Sequence, residues 1–166
     1  MVDAIFRRIS VRKYEPRAVA PEKIEQVLRA AMAAPSAGNQ QPWEFYVVRD
    51  KAKIEALSKC SPYSGCAANA PVVIVPCYRT DGLRFPEFDT IDLAIATENM
   101  LLAITDLGLG GVWLAVAPIK ERMEKVEAIL GIGKDLRAYA LVAMGYPAED
   151  RAQQDRFDES RIHYCA

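Results

Sequence analysis

The sequence predicts a single domain of mixed α+β or α/β class over residues 1–166, and three observations carry that reading. The chain is 51% apolar and 26% charged, a balance that suits one ordinary domain with a core to bury. Segments with the 3.6-residue period of amphipathic helices alternate with short β-branched runs. The cluster Gly108-Leu109-Gly110-Gly111 follows a helix and precedes a strand. A dinucleotide-binding turn runs the other way, from strand through glycines to helix, so that fold is excluded.

Composition narrows the function classes. A net charge of −1 argues against a general nucleic-acid binder, whose domains are strongly basic. The start, Met1-Val2-Asp3-Ala4-Ile5-Phe6, meets arginines at once, unlike a signal peptide. No stretch approaches the roughly 18 apolar residues of a membrane span. The expectation is a cytoplasmic protein without membrane or nucleic-acid partners. Cys60 and Cys66 fit neither a CxxC pair nor a zinc knuckle, and His163 is the only histidine, so no metal site is expected. A Cys60–Cys66 disulfide is left open.

Along the chain, Val2 to Arg8 reads as a short helix with Ile5 and Phe6 as buried contacts. Arg7-Arg8-Ile9-Ser10-Val11-Arg12-Lys13-Tyr14 then reads as an extended basic run. Alternate residues of an extended chain face the same way, so Arg8, Ser10 and Arg12 share a face. Two guanidinium forks and a hydroxyl match a phosphate in geometry and charge; a solvated basic surface is the alternative. Pro21 opens a helix in which Ile24, Val27, Leu28, Ala31 and Met32 form one apolar face, and Pro35 ends it.

The loop Pro35-Ser36-Ala37-Gly38-Asn39-Gln40-Gln41-Pro42-Trp43 carries a hydroxyl and three carboxamides but no charge. Carboxamides donate and accept, which suits a heterocycle. A plain turn with Asn39 and Gln41 bonding the backbone is the other reading. A strand over Phe45–Val48 follows, and Asp50 caps a helix through Ile54 and Leu57. Pro71–Pro76 reads as a buried strand, and Tyr78–Asp89 as a substrate or lid loop. Asp89 or Thr90 starts a helix to about Leu107, apolar nearly all round, which predicts burial on most sides and a subunit interface. The strand Val112–Val116, a helix opened by Pro118 and closed by Gly131, and a strand over 138–145 complete the domain. The tail from about 147 lacks apolar periodicity and could reach roughly 65 Å if extended.

No metalloprotease motif, P-loop or nucleophile elbow is present. A phosphate-type site and a carboxamide loop, with no protein nucleophile or base, fit a bound cofactor doing the chemistry. At this point the chain resembles the flavin-dependent nitroreductase family over essentially its full length. The resemblance rests on Arg8-x-Ser10-x-Arg12-Lys13-Tyr14, the Pro35–Trp43 loop and Glu98-Asn99-x-Leu101-Leu102-Ala103. Gly108-Leu109-Gly110-Gly111-Val112-Trp113 and Gly145-Tyr146-Pro147-Ala148-Glu149 complete it.

This resemblance implies an α+β sandwich with a mostly antiparallel central sheet, in an intertwined homodimer holding two FMN at its interface. It implies that Arg8, Ser10 and Arg12 hold the phosphate, ribityl chain and pyrimidine edge of FMN. Pro35, Ser36, Ala37 and Asn39 would pack along the ring from the other subunit, and Leu114, Ala115 and Val116 would supply backbone groups near its N5. Arg156 would complete the phosphate site, with Gln154 where the family usually has a lysine. No side chain is assigned a catalytic role. The implied activity is hydride transfer from NADH or NADPH to a small electron-poor acceptor, of nitroaromatic or quinone type, by a ping-pong mechanism. A non-catalytic FMN-binding protein and the family's specialised flavin chemistries (dehalogenation, dehydrogenation, flavin fragmentation) are the alternatives.

Overall fold

The computed structural model describes residues 3–149 and 152–165. Five strands, β1 (Trp43–Val48), β2 (Val72–Arg79), β3 (Gly110–Ala115), β4 (Leu136–Ala138) and β5 (Ala140–Gly145), form one antiparallel sheet. Its order is β1-β2-β5-β3, with β4 also paired to β2. Helices α1 (Asp3–Arg7), α2 (Pro21–Met32), α3 (Lys51–Leu57), α4 (Asp89–Asp106) and α5 (Lys120–Leu130) surround it. This is the α+β sandwich expected of the chain.

Strand periodicity explains the layers. On β2 and β5, Val72, Ile74, Val142 and Met144 point to one side. There they pack with Val27 and Ala31 of α2 and Leu93, Met100 and Ile104 of α4. The intervening Val73, Val75, Leu141 and Ala143 point to the other, against Ile54 and Leu57 of α3 and Met123 and Val126 of α5. A strand covered on both faces has no polar side to show, hence the unbroken Val72-Val73-Ile74-Val75 run. Each such side chain contributes about 1.5–3 kcal/mol on burial.

The expected final strand over 138–145 is two strands. Ile74 faces Val142 while Cys77 faces Ala138, a one-residue slip that makes Tyr139 a bulge. Pro76 sits opposite the slip. It has no N–H to give, and its carbonyl accepts from Tyr139 N at 2.9 Å, so the bulge is what admits a proline to an interior strand.

Two further expectations change, and a third, burial of the long helix at a subunit interface, is not decided by one chain. Ile5 and Phe6 are 46% and 56% exposed, and Ala4 is the buried residue of α1. Only five residues long, that helix has room for one buried contact. Pro118 does not open α5: it follows the cis Ala117–Pro118 bond, and the helix begins at Lys120 after Ile119. The long helix α4 is buried on one face within the chain, through Leu93, Ala96, Thr97, Met100, Leu101 and Ile104, while Ile91 and Ile95 stand 52% and 37% exposed. None of the helices among the described residues is long and apolar enough to cross a membrane.

Candidate functional site

The basic run is extended, as its alternation predicts, because it is tied to the sheet at both ends. Val11 N donates to the Gly111 carbonyl at 3.0 Å, and Ser10 bridges Gly111 in parallel along the outer edge of β3. Downstream, Tyr14 bridges Pro147, and Glu15 N donates to the Tyr146 carbonyl at 2.9 Å. Between these ties Val11 and Tyr14 turn into the core, with Arg12 and Lys13 exposed. The Tyr14 hydroxyl shares its one proton between the carbonyls of Val11 (2.7 Å) and Ala143 (3.0 Å). Burial, and secondarily the Cys66 thiol, push its pKa upward against the pull of Arg12.

Close approach of this arm to β3 depends on Gly110. A Cβ there would lie 2.6–2.8 Å from three carbons of the Val11 side chain, a distance no side chain tolerates.

Against the arm lies a polar cavity of about 200 Å³, lined by Arg8, Ser10, Arg12, Gln153, Gln154 and Arg156 among others. The structure thus gathers four of the predicted residues, Arg8, Ser10, Arg12 and Arg156, together with Gln154. Among the described residues no carboxylate lines it. Glu98 approaches Arg8 at 3.6 Å, whereas among the described residues neither Arg12 nor Arg156 has an acidic partner. A second cavity of about 230 Å³ continues past Ser10 and Arg12 to Lys13 and Glu149, which are themselves paired. Three guanidiniums with a hydroxyl and a carboxamide form a donor set for a phosphate and the polyol attached to it.

Gln153 was not anticipated. Its Nε2 donates to the carbonyls of Ile5 and Arg8, both at 3.0 Å, latching the tail onto the arm and so bringing Arg156 to Arg12. A larger cavity, about 650 Å³ between residues 15–19, α3 and residues 68–71, holds none of the predicted residues. Its lining mixes Arg17, Arg49 and Lys51 with Glu15 and Glu55.

The other predicted residues lie outside the arginine cavity. Leu114 and Val116 are buried in the core, whereas Ala115 is exposed. Because the Gly111 carbonyl faces outward from β5, alternation turns the Ala115 backbone to that same open edge. Pro35, Ser36, Ala37 and Asn39 sit on a tight loop in which Asn39 and Gln41 both adopt positive φ, 55° and 46°. The buried Asp92 of α4 holds that loop, accepting from Ala37 N (2.9 Å) and Gln40 Nε2 (2.8 Å). Gln40 also exchanges two hydrogen bonds with the Phe85 backbone, at 2.9 and 3.0 Å. The side chains that secure this loop to the backbone are therefore Gln40 and Ser36, the latter accepting from Gln41 N at 3.0 Å; they are not Asn39 and Gln41. Asp92 was legible only as an acid in the first turn of a helix.

The cysteines are free. Cys60 and Cys77 are buried, and burial, with Glu127 and Glu44 adding to it, pushes the Cys77 thiol up to about 12. Among the described residues no group of histidines, cysteines and acids could hold a metal ion.

Comparison with known proteins bears on the family and the fold. The Nitroreductase family profile matches residues 5–62 and 59–146. An Archaeoglobus fulgidus protein, provisionally named an NADH dehydrogenase/NAD(P)H nitroreductase, is 40% identical over 163 residues, 96% of this chain and 94% of its own. A Clostridium acetobutylicum crystal structure, provisionally described as an NADH oxidase, superposes with a TM-score of 0.94 at 41% identity, covering 97% of this chain and 98% of that one. A Desulfovibrio desulfuricans nitroreductase-like structure, solved in complex with FMN, gives 0.85 at 28% identity over 99% and 96%. By sequence and by fold, the chain belongs to the nitroreductase family.

Proposed function

We propose that the protein is an FMN-dependent oxidoreductase that takes hydride from NADH or NADPH and delivers it to a small electron-poor acceptor, of nitroaromatic or quinone type, in a ping-pong cycle. The observation that carries this reading is the cavity where Arg8, Ser10, Arg12 and Arg156 converge, with no carboxylate among its described lining residues. The FMN of the Desulfovibrio relative and the NAD(P)H in the Archaeoglobus relative's name support the same chemistry. FMN would supply the hydride-accepting ring.

The chain's own residues bind and orient it. Arg8, Ser10 and Arg156 take the phosphate and ribityl oxygens. Arg12 keeps a permanent positive charge at the pyrimidine edge, where the ring gains electron density, since guanidinium does not titrate at working pH. The outward-turned backbone at Ala115, whose carbonyl accepts from Arg122, would lie beside the reactive part of the flavin ring. Pro35–Asn39 covers the ring of a second copy in a homodimer that buries the exposed Ile91 and Ile95. A dimer interface is the usual fate of a helix with apolar residues beyond its own core face.

Arg12→Ala tests the reading. Each charge-assisted hydrogen bond contributes about 1.5–3 kcal/mol, so this variant should bind FMN at least roughly tenfold more weakly and lose turnover with it. Full flavin content and full turnover in Arg12→Ala would remove Arg12 from the site. FMN bound without NAD(P)H oxidation would point to a non-catalytic flavin carrier.

A further inference from the structure

Arg122 lies in the first turn of α5 and donates from Nη1 to the Ala115 carbonyl at 3.3 Å. Its guanidinium carbon sits 5.8 Å from the centroid of the Tyr63 ring, within cation–π range. Tyr63 is 75% exposed, too open for a core residue. Other cations of α5 are matched, Lys120 by Glu124 and Lys125 by Glu121. Among the described residues Arg122 has no acidic partner. A guanidinium is thus held in place by a carbonyl and an aromatic face, with its remaining donors free, on the open edge of β3.

That edge is the one assigned above to the reactive side of the flavin, and the inference rests on that reading. Arg8, Ser10, Arg12 and Arg156 would be occupied by the FMN phosphate and ring. A dinucleotide donor brings its own anionic pyrophosphate to the same edge and needs a different cation. We propose that Arg122, steadied by Tyr63 and the Ala115 carbonyl, binds the pyrophosphate of NADH or NADPH and is the residue that favours a dinucleotide over a small donor.

The test uses full-length FMN-loaded protein, wild type against Arg122→Ala, Arg122→Lys and Tyr63→Leu. Donors are NADH, NADPH and the phosphate-free N-benzyl dihydronicotinamide. Flavin content is read by absorbance, and equilibrium binding is measured with the unreactive tetrahydro-NADH. For Arg122→Ala, the kcat/KM ratio of dinucleotide to benzyl donor should fall at least about tenfold, chiefly through KM, and tetrahydro-NADH should bind weaker by a similar factor. Rising salt should raise the wild-type KM for NADH and leave that of Arg122→Ala flat. Arg122→Lys should recover part of the loss by keeping the charge, and Tyr63→Leu should show a smaller loss. A donor ratio and tetrahydro-NADH affinity within about threefold of wild type, with flavin retained, would overturn the proposal. Wild-type protein that takes up no FMN would overturn the underlying flavin reading, and this one with it.

Discussion

Tyr14 ties the basic arm to the sheet through a single phenol, whose one proton lies between the carbonyls of Val11 within the arm and Ala143 in β5. Removing that hydroxyl leaves the buried Val11 carbonyl short of a donor. Tyr14→Phe should therefore cost about 1–3 kcal/mol of stability, read from urea unfolding, and should loosen FMN because Arg12 lies two residues away. An unchanged midpoint would mean that the backbone bridges hold the arm by themselves. Some of this was legible in the sequence. Arg8, Ser10 and Arg12 follow from alternation alone, since two-residue spacing puts them on one face whatever they pack against. Gln153, Gln40 and Asp92 do not, because a carboxamide or carboxylate shows its partner only after distant segments meet.

At the scale of elements, the arm and β3 form one unit. Their contact depends on the missing side chain of Gly110, so Gly110→Ala forces Val11 outward. The expected cost is about 1–3 kcal/mol, as for other overpacked sites, with weaker FMN binding, since Ser10 and Arg12 move with Val11. Pairing it with Val11→Ala should restore part of both losses, a coupling visible in a double-mutant cycle. Additive losses would show that the two residues do not meet. Here the order of elements was readable from periodicity, while the bulge at Tyr139 was not. The bulge lies opposite Pro76 on another strand, and no pattern within residues 138–145 marks it. The start of α5 was misplaced for a related reason: a proline suits a first helical position, but Ala117–Pro118 is used in the turn before it.

For the whole molecule, the tail is what closes the candidate site. Ending the chain after Glu149 removes Gln153, Gln154 and Arg156 but none of the two apolar layers. Such a truncation should keep its thermal midpoint and bind FMN on the order of tenfold more weakly; equal affinity would take the tail out of the site. The full layout of the proposed flavin site was out of reach of a single chain's periodicity. The Pro35–Asn39 loop and the arginine cavity share no lining residue, and in the proposed site they would meet only across a homodimer. The account as a whole is tested most directly by the absorbance spectrum of the purified protein, before and after anaerobic addition of NADH and NADPH in turn. It predicts flavin bands that bleach with at least one donor. A colourless protein that takes up no added FMN would contradict it.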